Sequence, residues 1–101
     1  MTGLPPFYSN DREDLFEKIK LGKITCPSTF SLNLSNLLQR LFQKDPEQRL
    51  GSGPKGAEEI KSHPWFSSID WDALYKKEIR PPFIPVINDE FDVSNFDPVY
   101  F

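Results

Sequence analysis

Residues 51–56, Gly-Ser-Gly-Pro-Lys-Gly, carry the spacing G-x-G-x-x-G, and a backbone with that spacing can turn its N–H groups onto a phosphate. The chemistry needs more than glycines. A dinucleotide loop follows a strand, opens a helix and has an acid about twenty residues further on. Here the residues ahead of Gly51 read as helical, and Pro54 deletes one of the N–H donors. Ala57 and Glu58 stand where a Walker loop requires Lys and Ser or Thr. The stretch is therefore read as a Gly/Pro loop and not as a phosphate site.

The remaining reactive side chains are sparse. Cys26 is the only cysteine and His63 the only histidine, so a thiol–imidazole dyad can be written, but neither has an orienting partner recognisable in the sequence. A histidine ahead of a proline at a helix end is the ordinary place for a capping or packing residue. One His and one Cys leave a metal to be held by carboxylates, and no calcium-loop spacing exists. The acid pairs Glu58-Glu59 and Asp89-Glu90 are adjacent on exposed-looking segments, which does not suit general acid–base work. Arg49, in Asp45-Pro46-Glu47-Gln48-Arg49-Leu50-Gly51, asks a different question. Asp45 can cap and Pro46 suits the first helical position, so a short helix is expected from here, closed by Gly51. With Leu50 beside it, the guanidinium can be partly enclosed, which would require a carboxylate or several carbonyls around it, but residue type alone favours a solvated arginine.

The elements that position these residues follow from periodicity. Asn10 and Glu13 have capping-box spacing, and Leu15, Phe16 and Ile19 then share a helical face up to Gly22. Residues 23–29 read as loop because Pro27 disfavours a helical residue before it. Ser31 caps the strongest helical pattern, in which Leu34, Leu37, Leu38, Leu41 and Phe42 recur at i, i+3, i+4, i+7 and i+8. Residues 57–62 form a short helix stopped near Pro64, Trp65, Phe66 and Ile69 make an apolar cluster, and Asp70 caps a last turn carrying Trp71, Leu74 and Tyr75. From Ile79 the periodicity vanishes. Pro81, Pro82 and Pro85 favour polyproline II, and the acids that follow alternate with Phe91, Phe96, Tyr100 and Phe101, which look like anchors for pockets supplied elsewhere.

Composition sets the bounds. One hundred and one residues with 38% hydrophobic content suit one small domain or a piece of a larger one, with a thin core. Ten prolines, several of them in the last quarter, argue for an extended tail. A net charge of −3, with lysines interleaved among acids, offers no stripe for a phosphate backbone, so nucleic acid is not an expected partner. A single cysteine points to an intracellular, cytoplasmic protein, the nucleus remaining open, and residues 1–7 lack the pattern of a signal peptide. No apolar run reaches membrane-spanning length, so no membrane partner is expected.

Taken in order, TGLPPFYS (2–9), DPEQRLG (45–51), AEEIKSHPWF (57–66), IDWDAL (69–74), PPFIP (81–85) and DVSNFDP (92–98) resemble one family. They are similar to the end of the large lobe and the first part of the C-terminal tail of an AGC-class serine/threonine protein kinase. The resemblance covers essentially the whole chain, and its tail motifs are specific to that class. It implies a mainly α fold, with residues 1–78 as a helical fragment of the large lobe and residues 79–101 as an extended, Pro-rich partial tail.

The resemblance also implies roles. Arg49 matches the arginine that forms a buried ion pair with the glutamate of the Ala-Pro-Glu motif closing the activation segment. Pro82, Phe83 and Pro85 match the tail segment that docks on its way from the large to the small lobe, and Phe96 matches an auxiliary aromatic over the adenine pocket. ATP and magnesium would belong to the parent kinase, this chain holding neither. Its partners would be the small lobe, the activation segment and the parent's protein substrates, with residues 11–21 as a docking surface. The sequence has no Ala-Pro-Glu, kinase Gly-rich loop, Val-Ala-Ile-Lys, His-Arg-Asp or Asp-Phe-Gly, so the chain is expected to be inactive alone. Relatives often read Asp-Pro-Glu-Phe-Thr where this chain has Asp97-Pro98-Val99-Tyr100-Phe101, and the turn and hydrophobic phosphorylation motifs are absent. Met1 matches a methionine common at this point of the family, which suggests an internal methionine taken as a start or a truncated gene.

Two further expectations follow. An arginine left without its buried partner costs about 3–5 kcal/mol, so the chain should be marginally stable and mobile beyond Ile79 unless Arg49 turns outward or finds another acid. The competing reading is a non-catalytic helical module that binds partners through residues 11–21 or offers Pro82-x-x-Pro85 to an SH3- or WW-type groove.

Overall fold

The structure, a computed structural model, describes residues 1–100; Phe101, one of the aromatics expected to act as an anchor, lies outside the described residues. Four α-helices follow in order: α1 (Arg12–Leu21), α2 (Leu32–Leu41), α3 (Ala57–Lys61) and α4 (Trp71–Tyr75). Two 3₁₀ turns, Pro64–Phe66 and Pro98–Tyr100, complete the regular structure, and no strand occurs among the described residues. The mainly α reading therefore holds. The chain divides into two units, Met1–Ile69 and Asp70–Phe101.

The first unit is organised by α2. Ser31 Oγ accepts the Leu34 N–H at 3.1 Å, satisfying one orphan donor of the first turn. The buried core begins at this same residue: Leu34 and Leu37 are 6% and 3% exposed, and they are the only buried apolar residues among those described. Each contributes about 1.5–3 kcal/mol by burial. The Pro64–Phe66 turn packs on this helix, and the Phe7 ring meets Phe42 edge-on at 5.9 Å.

Helix α1 begins one residue later than its sequence suggested. Its N-cap is Asp11, whose carboxylate accepts the Glu13 N–H, while Asn10 accepts the Tyr8 hydroxyl instead. Both residues can cap, and Ser9, which accepts the Asp11 N–H, fixes the choice. Gly22 closes the helix at φ 65, its N–H donating to the Lys18 carbonyl. Leu15 is half-buried, but Phe16 and Ile19 are exposed, so the apolar face of α1 is mostly uncovered.

Residues 45–50 do not form the expected helix. Asp45 does cap, accepting the Glu47 N–H at 3.0 Å, but the bonds that follow are Gln48 N–H to Asp45 O and Arg49 N–H to Pro46 O, which close turns. The Leu50 N–H then leaves for the Arg40 carbonyl at 3.0 Å, tying the segment to the end of α2. So short a segment gains too few bonds to offset helix nucleation, and a tertiary acceptor wins.

In the second unit Asp70 caps α4 by accepting from both Asp72 and Ala73. The helix ends with Glu78 N–H on Ala73 O and Lys77 N–H on Leu74 O, and Lys77 holds φ 61, a left-handed position that usually falls to glycine. Residues 80–87 carry no regular element. Beyond them the order is local: Asp89 accepts from Phe91, Asp92 from Asn88 and Ser94, and Asp97 from Val99.

Candidate functional site

Arg49 lies at an open cleft of about 430 Å³ in the first unit, lined by Phe7, Ile19, Leu41 and Phe42 with Gln43 and Lys44 at its polar edge. The position is fixed by the Asp45 turns on one side and by the end of α2 on the other. Its Nε donates to the Gln43 carbonyl at 3.1 Å, and Nη2 reaches the Lys44 carbonyl at 3.5 Å, a marginal length. The side chain is exposed and not enclosed. The ion pairs among the described residues, Asp14–Lys18, Glu17–Lys20 and Glu58–Lys61, do not include it. Chemically, this is a cation at the rim of an apolar cleft with two neutral acceptors and donors to spare. A carboxylate arriving with an apolar neighbour could take a bidentate bond there.

The glycine loop has its own occupant. Glu59, in the first turn of α3, is half-buried, and its Oε2 accepts the N–H groups of Gly51 at 3.0 Å and Gly53 at 3.4 Å. Two of the donors that a phosphate would need are thus turned on a carboxylate of the same chain. A Cβ at Gly53 would land on that carboxylate, and one at Gly51, held at φ +95, would lie 2.9 Å from Ile60 Cδ1. Both glycines are needed for close approach and not for nucleotide contact. The exposed-looking Glu58-Glu59 pair splits accordingly: Glu58 is exposed and pairs with Lys61, whereas Glu59 is a structural clasp. An acid in the first turn after a G-x-G-x-x-G loop was the available signal.

His63 is 4% exposed and fully engaged. Nδ1 accepts the Trp65 N–H at 3.1 Å, which requires it to be unprotonated, so Nε2 carries the proton and donates to Asn36 Oδ1 at 2.8 Å. This is a cap and a tie between the Pro64 turn and α2. Cys26 lies on a separate apolar cleft of about 450 Å³, near Gln39, so the two residues of the nominal dyad are held by different neighbours. No group of three or more His, Cys, Asp or Glu that could hold a metal occurs among the described residues, and no described helix is long and apolar enough to cross a membrane.

The tail residues are displayed. Pro82, Phe83 and Pro85 are exposed, Phe83 by 75%, in a stretch without regular structure, and Phe96 is 63% exposed with its N–H on the Val93 carbonyl at 3.0 Å. One carboxylate of this segment was not singled out in the sequence. Asp92 accepts the N–H groups of Asn88 and Ser94, both at 2.9 Å, and the Ser94 hydroxyl and these amides hold its pKa down at about 2. The Asp-x-Ser spacing of an Asx turn was the legible cue.

No family model matches the chain. Comparison with individual proteins is informative. The chain is 45% identical over 97 residues to ribosomal protein S6 kinase 2 alpha of Gallus gallus, covering 96% of this chain and 13% of that protein. It is 43% identical over 100 residues to a RAC family serine/threonine-protein kinase homolog of Dictyostelium discoideum, covering 99% of this chain and 22% of the relative. Against serine/threonine-protein kinase N2 of Danio rerio the identity is 42% over 97 residues, 96% of this chain and 10% of the other. The chain thus spans between about a tenth and a fifth of the length of these curated relatives.

Proposed function

From a chain that is homologous, along almost its whole length, to a segment of AGC-class serine/threonine kinases, we propose that its residues serve an ATP-dependent phosphoryl transfer to protein serine or threonine, as the C-terminal part of a large lobe with the start of its tail. What carries the reading is the collinear similarity together with Arg49, a free-facing guanidinium at the mouth of an apolar cleft with only backbone carbonyls for acceptors. In this reading Arg49 receives the carboxylate of an Ala-Pro-Glu motif, and the apolar wall of Phe7, Ile19, Leu41 and Phe42 takes the residues beside that acid. Residues 1–78 form the lobe fragment and residues 79–101 the partial tail, with Pro82, Phe83 and Pro85 docking it and Phe96 adding an auxiliary contact to the adenine pocket.

The residues present do not fit a nucleotide and its magnesium: the glycine loop is clasped by Glu59, and the kinase motifs that hold phosphates and metal do not occur in the sequence. The chain alone is accordingly proposed to be inactive, and to reside inside the cell. Fusion of this chain to the upstream part of a relative's kinase domain tests the reading. Restored transfer to a peptide substrate is the expected outcome, with Phe96→Ala raising KM for ATP several-fold at nearly constant kcat. A dead fusion, beside an active control that keeps the relative's own segment, would overturn it.

The exposure of Phe83 and its flanking prolines favours a second reading, a binding module that offers Pro82-x-x-Pro85 to an aromatic groove. Calorimetric titration of residues 78–90 into SH3 and WW domains decides it, and the absence of heat in all of them removes it.

A further inference from the structure

Residues 88–94 form a loop whose hydrogen bonds converge on one carboxylate. The Asn88 N–H donates to Asp92 Oδ2 and the Ser94 N–H to Oδ1, both at 2.9 Å, so both oxygens are engaged. Asp92 is the one residue of 76–100 that is not exposed. Ser94, by contrast, is exposed and outside any helix, and so open to an enzyme. Its surroundings have a single sign: from residue 81 to 101 there is no Lys or Arg, while Asp89, Glu90, Asp92 and Asp97 all lie within five residues of it. Charge complementarity therefore selects a catalytic groove lined by basic residues and able to read Asp97 three positions after the acceptor.

We propose that Ser94 is a phosphorylation site for a protein kinase of that kind, and that its phosphate opens the 88–94 loop. In the transfer, Ser94 Oγ bonds to the γ-phosphorus of a nucleoside triphosphate, the bond to the β–γ bridging oxygen breaks, nucleoside diphosphate leaves, and the hydroxyl proton passes to a base of that kinase. The product carries about −1.5 to −2 charge on the residue whose own N–H is bonded to the Asp92 carboxylate. Repulsion is thereby added at the point where the loop is fastened. The proposal stands on the loop and holds whether or not the chain works as part of a kinase.

The test uses the full chain, labelled ATP and a kinase that selects acidic residues after its serine. Mass spectrometry should place the phosphate on Ser94, with incorporation lost in Ser94→Ala and reduced at least several-fold in Asp97→Asn. Failure to label Ser94, or labelling indifferent to Asp97, overturns the site. The loop is read separately by the amide proton shifts of Asn88 and Ser94. Phosphorylation and Asp92→Ala should both carry the Asn88 amide to its random-coil position. A phosphorylated chain whose Asn88 amide stays where it is in the unmodified chain overturns the opening.

Discussion

The two units of this chain are held by different kinds of bond. Within residues 1–69, distant residues meet: His63 ties to Asn36 across 27 positions, Lys18 reaches the Tyr8 carbonyl, and Leu50 is drawn to Arg40. A small core of Leu34 and Leu37 lies beneath. Within residues 70–100 no residue is buried, and the side-chain hydrogen bonds of Asp70, Asp89, Asp92 and Asp97 span two to four positions, each aspartate closing its own turn. Tertiary contacts make a segment's stability cooperative, whereas local turns open one at a time. The first unit should therefore fail as a whole and the second piecemeal.

The largest effect that can break this contrast is at the core. Leu37→Ala should cost about 2–5 kcal/mol, seen in denaturant unfolding of the first unit, with amide exchange over residues 80–97 unchanged. A matching loss of protection in that second stretch would show that the two units unfold together. Next comes the buried histidine. His63→Ala removes the Trp65 cap and the Asn36 tie and should cost about 1–3 kcal/mol, while His63→Asn, which can still accept from Trp65, should recover part of it. Equal losses in the two variants would assign the effect to packing and not to the hydrogen bonds.

Smaller effects sharpen the description of the second unit. Lys77 occupies a left-handed position at the end of α4, so Lys77→Gly should stabilise that helix by about 0.5–1 kcal/mol, read as slower exchange of the Leu74 and Tyr75 amides without change in the first unit. The least costly probe is pH. The folded pKa of Asp92 is lowered from 3.8 to about 2, so the turn it fastens is fully held above about pH 4 and is lost as pH falls through about 2. The Asn88 and Ser94 amide shifts should move together in that window and stay fixed between pH 5 and 7. Movement near pH 4, the ordinary carboxylate range, would mean that the hydrogen bonds to Asp92 are not maintained in solution.

Much of the fold was legible because helices announce themselves in short-range pattern. The Leu34 to Phe42 stripe, its Ser31 cap, the Gly22 stop and the Asp70 cap all rest on residues within a few positions of one another, and all were found where expected. The Asn10 cap and the helix at Asp45 were misread for one reason: in both places two local outcomes were open and a neighbour chose between them, Ser9 in the first case and Arg40 in the second. Similarity to kinases was legible from six short segments, and the identities of 42–45% agree with it.

Sequence by itself thus determined the helical class, the places of the four α-helices that form, the kinship, and the reading of the glycine stretch as a loop, since each depends on residue type and spacing alone. Tertiary structure decided what holds each polar group: that Glu59 is the anion in the glycine loop, that His63 is paired with Asn36, that Arg49 is on the Gln43 and Lys44 carbonyls, and that Asp92 closes the 88–94 loop. A side chain's donors and acceptors are fixed by its chemistry, but which of them meet is set by how the backbone brings separated residues together, and no local pattern encodes that.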